Sequence, residues 1–250
     1  MDDVYKQVEK NINNLVDAHV EWSIPVTHEQ IEEYKLTKEC DFMPPFEWLT
    51  KNISNMKVLL LAGAGGQQAP MLAALGADVT VIDISYKMLE KDRYVAEREN
   101  LQITIEKGNM CDLSRFSDGT FDLILNPPSL FYVPNVMPVF IECYRVLKYG
   151  GIFIAHLPNP INYMCNYDSE KNVYTVCNTL PFVSHEHDKA CAEARWVEYG
   201  HTWDSYLGGQ TRCGFAIIGC IEGYYADDPC DSWLLTRAIK YGNVCTGKLA

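Results

Sequence analysis

Apolar and polar positions alternate along the middle of the chain in two regular ways. Short runs rich in Val, Ile and Leu predict buried β-strands. These runs cover residues 58–61, 79–82, 103–105, 121–125 and 152–155. Between them, residues 67–75, 85–99 and 139–147 carry apolar positions at helical spacing, and Ser85 is the expected N-cap of the second helix. Strands that alternate with helices predict an α/β fold with a doubly wound, mostly parallel sheet and right-handed crossovers.

The pattern before this region is helical. Within residues 2–20 several positions fall near one helical face, namely Val4, Val8, Ile12, Leu15 and His19. A polar helix is expected at about 28–38, and Pro44-Pro45 breaks the chain before a short apolar segment. We therefore expect a helical N-terminal cap over residues 1–54 and one α/β domain over residues 55–250.

The pattern weakens after the last of these strands. Residues 196–212 are expected to form a helix, and the apolar runs 216–221 and 233–239 predict two closing strands. One strand near the C-terminus is expected to run antiparallel to the rest of the sheet.

Composition and charge narrow the class of protein. Apolar residues make up 48% of the chain and charged residues 22%, which is typical of a globular protein. The formal net charge is −12, and no cluster of Lys and Arg is evident, so a nucleic-acid partner is not expected.

The chain has no obvious export, membrane or metal-binding signal. The N-terminal stretch is polar, and no apolar run approaches the roughly 20 residues of a membrane span. The ten cysteines are scattered without a C-x-x-C pair and are expected to be reduced, which favours the cytoplasm. The stretch His185-Glu186-His187-Asp188 has metal-binding side chains, but a solvated polar loop is the favoured interpretation, so no metal is expected.

A glycine-rich turn separates the first strand from the first helix of the α/β region. Ala62-Gly63-Ala64-Gly65-Gly66 lets the backbone approach a ligand closely, and Asp83 ends the next strand, where a carboxylate accepts ribose hydroxyls. This βα arrangement indicates a nucleotide. The alternative is a plain tight turn with Asp83 as an N-cap. A dinucleotide is disfavoured, because Gln68 stands where its fingerprint requires a third glycine.

Two further motifs narrow the choice of nucleotide. Residues 107–113, Lys-Gly-Asn-Met-Cys-Asp-Leu, follow the third strand, and residues 144–151, Tyr-Arg-Val-Leu-Lys-Tyr-Gly-Gly, precede the fifth. With the glycine turn, they resemble the class I S-adenosylmethionine-dependent methyltransferases over roughly residues 55–156. The likeness is to the small-molecule branch with the ubiquinone and menaquinone methyltransferases, and within it to an uncharacterised bacterial subgroup. The resemblance implies a Rossmann-like methyltransferase sheet.

The resemblance also implies S-adenosyl-L-methionine as the cofactor and assigns residues to it. They are Ala62, Gly63, Ala64, Gly66, Gln67, Asp83, Ile84, Met88, Asn109, Met110, Cys111 and Asn126. The turn would pass beneath the methionine part, and Asp83 would hold the ribose. Ile84 and Met88 would pack on the adenine, whose amine Asn109 would bind. Asn126 would face the methionine part and the transferred methyl.

This sequence departs from the family pattern at three points. The acid that usually stands two residues before the first glycine is Leu60, two of the usual glycines are Ala62 and Ala64, and the usual adenine-slot Asp is Asn109. Asn109 can still accept one hydrogen bond through its amide oxygen. These changes leave open a non-catalytic protein that binds the cofactor.

Candidate acceptor residues lie in the loops at the same end of the sheet, and residues 157–210 are expected to be an insertion on the acceptor side. His201 titrates near neutral pH and is the candidate base. The candidate substrate-binding residues are Trp22, Tyr132, His156 and Asn159. The expected reaction is in-line transfer of a methyl group to a small-molecule acceptor.

One loop favours an alternative acceptor. Asn126-Pro127-Pro128-Ser129 resembles the Asn-Pro-Pro-aromatic motif with which amino-methyltransferases hold an exocyclic amine, but its fourth residue is Ser129. The alternative function is therefore N-methylation of a nucleic-acid or protein amine. A proline-stiffened loop that shapes the floor of the site is the favoured interpretation.

Overall fold

A computed structural model describes residues 3–41, 43–49, 52–168, 170–171, 173–184, 197–224 and 232–241. The helices are α1 Asp3–Asp17, α2 His28–Thr37, α3 Phe46–Leu49, α4 Gln68–Ala74, α5 Tyr86–Glu99, α6 Met137–Val146, α7 Ile161–Met164 and α8 Gly209–Arg212. The strands are β1 Lys57–Leu61, β2 Asp78–Asp83, β3 Ile103–Lys107, β4 Phe121–Asn126, β5 Leu147–Pro158, β6 Cys165–Asp168, β7 Val173–Val176, β8 Phe182–Val183, β9 Tyr199–Gly200, β10 Phe215–Tyr224 and β11 Ser232–Lys240.

Seven strands form one sheet in the order β10-β11-β5-β4-β1-β2-β3. The pairs from β3 to β5 are parallel, whereas β11 is antiparallel to both β5 and β10. The predicted α/β class, the mostly parallel doubly wound sheet and the antiparallel strand near the C-terminus are confirmed. The chain leaves β1 on one side toward β2 and returns on the other side at β4, so a crevice opens at the carboxyl ends of these strands.

β1 is apolar at every position after its first, and its side chains are buried on both faces of the sheet. Leu60 is fully buried in a core that contains residues of α2, α4 and α5. Leu59 and Leu61 point to the other face, into a core that contains residues of α6. Burial on both faces is what a parallel strand without alternating polarity predicts, and it fixes the position of the turn that follows β1.

Helix α2 begins with a capping box, and α1 ends earlier than the sequence predicts. Thr27 accepts a hydrogen bond from Gln30 N at the start of α2, and the Gln30 side chain accepts one from Thr27 N, which forms a capping box. α1 ends at Asp17 and not near residue 20, since His19 adopts a positive φ of 53°. The predicted domain boundary at residue 54 stays a prediction.

The predicted helix over residues 196–212 is wrong in its first half. Tyr199–Gly200 forms β9, which pairs antiparallel with β8, and helical structure starts only with the π-helical turn Asp204–Gly208 that leads into α8. Gly200 crosses Tyr163 so closely that a Cβ at this position would lie 2.6 Å from the Tyr163 Cβ. Pairing with a strand distant in sequence therefore outweighs the local helical pattern.

Candidate active site

The glycine turn adopts the left-handed backbone conformation at four positions. Ala62, Ala64, Gly65 and Gly66 have φ values of 56°, 55°, 54° and 78°. A Cβ on Gly65 would lie 2.7 Å from Met88 Sδ, and a Cβ on Gly66 would lie 2.9 Å from the carbonyl oxygen of Lys91. The two glycines thus allow the turn to pack directly against α5, while Ala62 and Ala64 stay half-buried.

Hydrogen bonds to α5 and to the N-terminal cap hold the turn in place. Gly66 N donates to Asp92 Oδ1 over 2.8 Å, and Gly66 O accepts from Val26 N over 2.9 Å. Gln67 Nε2 donates to the carbonyl oxygen of Ile24 over 2.9 Å, so this amide group also binds the cap. The predicted role of Gln67 as a cofactor ligand stays a prediction.

The structure explains why β1 tolerates Leu60 where the family has an acid. The Leu60 side chain lies beneath Gly63, where a Cβ on the glycine would be 2.8 Å from Leu60 Cδ2. Leu60 therefore belongs to the core. The carboxylate that binds the turn comes instead from Asp92, on α5.

Asp83 ends β2 as a buried carboxylate. Its Oδ1 accepts a hydrogen bond from Ser85 N over 2.7 Å. Burial raises the pKa of Asp83 to about 7, although the N–H groups of Ser85 and Ile84 oppose this rise and the nearby charge of Glu9 adds to it. A buried acid in this state is a strong acceptor for ligand hydroxyls, because new donors would stabilise its charged form.

Asp92 is a second buried acid beside the turn, and our sequence analysis did not identify it. Burial raises its pKa to about 8, and the charge of Asp83 adds to this rise. Asp92 lies among the buried apolar positions of α5, with Met88 before it and Val95 after it. A charged residue on an apolar stripe is the signal that would have revealed it.

The residues predicted to surround the adenine come together next to α1. Asn109 Oδ1 accepts from Cys111 N over 2.9 Å and closes the loop after β3. Cys111 Sγ lies 3.3 Å from Tyr5 Oη, and burial raises the pKa of this thiol. Ile84 and Met88 pack in a small apolar cluster with residues of α1.

Asn126 lies at the end of β4 with one side-chain atom unused. Its Nδ2 donates to Ser129 Oγ over 2.8 Å and lies 3.9 Å from Met110 Sδ. Asn126 Oδ1 is buried and has no hydrogen-bond partner within the described chain. A buried acceptor of this kind normally has a donor, so Asn126 Oδ1 is available to accept a hydrogen bond from a ligand.

The part of the site where the methyl acceptor is expected, here called the acceptor end, contains His201 and several tyrosines. His201 is buried, its Nε2 donates to the carbonyl oxygen of Val133 over 3.0 Å, and its ring centroid lies 5.3 Å from that of Tyr206. Burial lowers the pKa of His201. Tyr163 Oη donates a long hydrogen bond of 3.4 Å to Glu198 Oε2.

Charges link this end to the cofactor side. Burial raises the pKa of Tyr132, and the charges of Glu198 at this end and of Asp83 at the end of β2 add to the rise. Sequence reasoning missed Glu198 and Tyr163, because the weak pattern of this region gave them no periodicity to stand out from.

The other predicted substrate residues lie at the end of β5 and in the N-terminal cap. His156 packs against Trp233 with ring centroids 4.7 Å apart, and burial lowers its pKa to about 4. Asn159 Nδ2 donates to Ser232 Oγ over 2.7 Å, and Asn159 lines an apolar cavity of about 450 Å³ together with Trp203. Trp22 lies in the 3-10 turn Glu21–Ser23 and is 42% exposed. The roles of these residues stay predictions.

Two absences apply to the described part of the chain. It contains no group of three or more His, Cys, Asp or Glu side chains that could hold a metal ion. The stretch 185–188, considered above as metal-like, lies outside the described residues. No described helix is long and apolar enough to cross a membrane.

Comparisons with known proteins identify the family of this chain. A family model described as a methyltransferase domain matches residues 60–155. An uncharacterized methyltransferase of Bacillus subtilis strain 168, YbaJ, is 37% identical over 239 residues, which cover 90% of this chain and 94% of that protein. A ubiquinone biosynthesis O-methyltransferase of Nitrosococcus oceani is 32% identical over 107 residues, which cover 42% of this chain and 45% of that enzyme.

A solved structure has the same fold. It is an S-adenosylmethionine-dependent methyltransferase from Mesorhizobium loti, which superposes with a TM-score of 0.63 at 20% sequence identity. The match covers 77% of this chain and 94% of the other.

Proposed function

The chain belongs to the class I S-adenosylmethionine-dependent methyltransferases, and on this premise we propose that it methylates a small-molecule acceptor. The family and the fold make it an enzyme with S-adenosylmethionine as its cofactor. The class of acceptor and the residues of the site are the proposed part.

The residues at the carboxyl ends of β1, β2 and β4 fit this cofactor. Asp83 would accept the ribose hydroxyls, and Asn126 Oδ1 offers a buried acceptor to a donor of the methionine part. Ile84, Met88 and Cys111 would line the adenine. When bound, S-adenosylmethionine supplies an electrophilic methyl group on a sulfonium centre. The protein contributes the positions of both reactants and the exclusion of water.

A small acceptor is favoured by one observation: the side chains of the acceptor end are buried or half-buried. Elements that follow β5 fold over it, so that Tyr206 and His201 are buried and Tyr132 and Tyr163 are half-buried. An acceptor must fit between these side chains and the end of β4, which suits a small molecule better than a base or side chain held in a polymer.

Two observations argue against an amine of a nucleic acid. The carbonyl oxygen of Pro127, which the Asn-Pro-Pro motif would offer to an amine, already uses one of its two lone pairs for a hydrogen bond of 3.1 Å from Ser129 Oγ. The net charge of −12 also opposes a phosphate backbone.

His201 stays the candidate base, with a restriction on which atom acts. Its Nε2 already carries a hydrogen toward the Val133 carbonyl, so an acceptor proton could be received only at Nδ1. The lowered pKa keeps the ring neutral near pH 7, which is the form that a base requires.

Calorimetric titration with S-adenosylhomocysteine, with NAD as the parallel control, tests the cofactor site. We expect one-to-one binding of S-adenosylhomocysteine alone. Acceptors are then screened by release of S-adenosylhomocysteine, with phenols, amines and thiols in one arm and transfer RNA in the other. Turnover with transfer RNA alone would contradict the small-molecule proposal, and failure to bind S-adenosylhomocysteine would contradict the proposed site.

A further inference from the structure

Helix α1 meets the rest of the protein through two adjacent ridges with a four-residue period. One ridge is apolar and consists of Val4, Val8, Ile12 and Val16. The other is polar and consists of Tyr5, Glu9, Asn13 and Asp17. Residues four apart lie on one helical face, so both ridges face the same side.

The polar ridge contacts the segments that follow β2 and β3. Tyr5 meets Cys111 as described above, and Glu9 forms an ion pair of 2.6 Å with Lys107 at the end of β3. Asn13 Oδ1 accepts from Ser85 Oγ over 2.6 Å. Asp17 pairs with Lys87 on α5, so four successive turns of α1 bind the rim of one site.

The apolar ridge packs against apolar residues of the same site. Val8, Ile12 and Val16 are buried together with Met88, and Ile84 and Tyr132 pack against this cluster. Ile84 and Met88 belong to the proposed adenine site, and Tyr132 belongs to the acceptor end. α1 therefore lies over the place where the adenosine half of the cofactor would bind.

The attachment of α1 is weak compared with that of the sheet. Tyr5 packs against the edge of one core, but the other apolar contacts of α1 form a separate cluster with four buried members, of which three lie on α1. The ion pairs are partly exposed, with side chains 48% and 20% accessible for Lys107 and Glu9, and such pairs contribute little. Elements with few buried contacts open at a lower free energy than the whole domain unfolds.

We propose that α1 is a movable wall of the cofactor site, which undocks to admit S-adenosylmethionine and then docks over it. Val8 and Ile12 form the wall above the adenosine, and Glu9 and Asn13 hold that wall to the rim near Asp83. This inference rests on the cofactor placement proposed above. It makes residues of the N-terminal helix determinants of cofactor residence time.

Hydrogen exchange of the full-length protein tests the wall without an acceptor. We expect α1 amides to exchange well before those of β1 and β4 in the free protein, and saturating S-adenosylhomocysteine to slow them about tenfold or more. α2, which touches α4 and not the adenine site, serves as the internal reference. Unchanged exchange of α1 in a protein that binds S-adenosylhomocysteine would overturn the proposal.

A matched pair of variants gives the second measurement. Ile12→Ala removes a buried side chain from the wall, and Ile31→Ala removes an equally buried one from α2. We expect Ile12→Ala to raise the dissociation rate of S-adenosylhomocysteine about tenfold, and Ile31→Ala to change it by less than about twofold. Equal rates for the two variants would refute the wall. A wild-type protein that does not bind S-adenosylhomocysteine would instead refute the proposed site.

Discussion

Asp92 Oδ1 accepts a hydrogen bond of 2.8 Å from Gly66 N, while Asp92 Oδ2 is buried with no partner in the described part of the chain. One acid thus anchors the glycine turn to α5, and half of its hydrogen-bonding capacity is unused. Such an arrangement is unfavourable when the acid is charged.

This relationship predicts a stabilising substitution. The folded pKa of Asp92, about 8, lies above its ordinary value of 3.8, so its contribution to stability is present at low pH and is lost as pH rises from about 4 through about 8. Asp92→Asn keeps the acceptor for Gly66 N and removes the charge. We expect it to raise stability by about 1 to 3 kcal/mol at pH 8 and by much less at pH 5. Thermal unfolding at both pH values measures this, and an equal shift at both would contradict the interpretation.

The second prediction concerns how strongly the Asp83 carboxylate contributes to cofactor binding. Removing the carboxylate with Asp83→Ala removes about 1.5 to 3 kcal/mol of charged hydrogen bonding, which weakens S-adenosylhomocysteine binding roughly 10- to 100-fold. Calorimetry measures the change directly. An unchanged affinity would mean that the ribose lies elsewhere.

The pH dependence of the same binding follows from the raised pKa of Asp83. In the free protein this pKa is about 7, and hydroxyl donors favour the charged form. Affinity should therefore rise with pH through 7, by about tenfold between pH 6 and pH 8, with release of a proton on binding. Titrations in buffers of different ionisation enthalpy count that proton. Asp83→Asn is the control, and it should bind weakly at both pH values without the slope.

The backbone of the glycine turn predicts two substitutions of opposite effect. Gly66→Ala places a Cβ at positive φ and 3.0 Å from Pro25 Cβ, which should destabilise the protein by about 2 kcal/mol or more. Ala64→Gly relieves a left-handed alanine and should stabilise it by up to about 1 kcal/mol. Denaturant unfolding of both variants tests the pair. Destabilisation by Ala64→Gly would show that its Cβ makes a contact that outweighs the strain.

The position of Asn126 leads to a prediction about which cofactor analogues bind more tightly. If its buried Oδ1 faces the transferred methyl, Asn126→Ala should reduce affinity for an analogue with an amine in place of that methyl about tenfold, through loss of one hydrogen bond to a charged donor. Affinity for S-adenosylhomocysteine, which lacks the methyl, should change much less. Equal losses for both ligands would place Asn126 elsewhere along the cofactor.

The sheet and the nucleotide site were predictable because their signals are local. A βα turn rich in small residues and an acid at the end of the next strand both lie within residues 58–83. A fully apolar strand is expected in the interior of a parallel sheet, where both of its faces are buried. The partners of α1 were not predictable. The period of Val8 and Ile12 indicated a helix, but Ser85 and Lys107 lie 72 and 98 residues from the side chains they bind. No pattern within α1 identifies them.

The predicted helix at the acceptor end was wrong for a related reason. The sequence pattern predicted a helix at Tyr199 and Gly200, but these residues pair with Val183 and Phe182 as a strand. The neighbouring Glu198 thereby comes within hydrogen-bonding distance of Tyr163. Such contacts depend on how two segments without periodicity pack together. Sequence reasoning therefore predicted the sheet and the cofactor, but it missed the strand pairing beside His201.

The position of β11 inside the sheet has a consequence for synthesis on the ribosome. β10 emerges before β11, yet β11 is the strand that joins it to the sheet, and β11 also covers the open edge of β5. Until residue 240 is made, the nascent chain exposes the unpaired N–H and C=O groups of both strands, which can pair with another chain. While residues 215–240 are translated, both of these strands are therefore open to pairing with other chains, and a chaperone that shields strand edges would act in this interval.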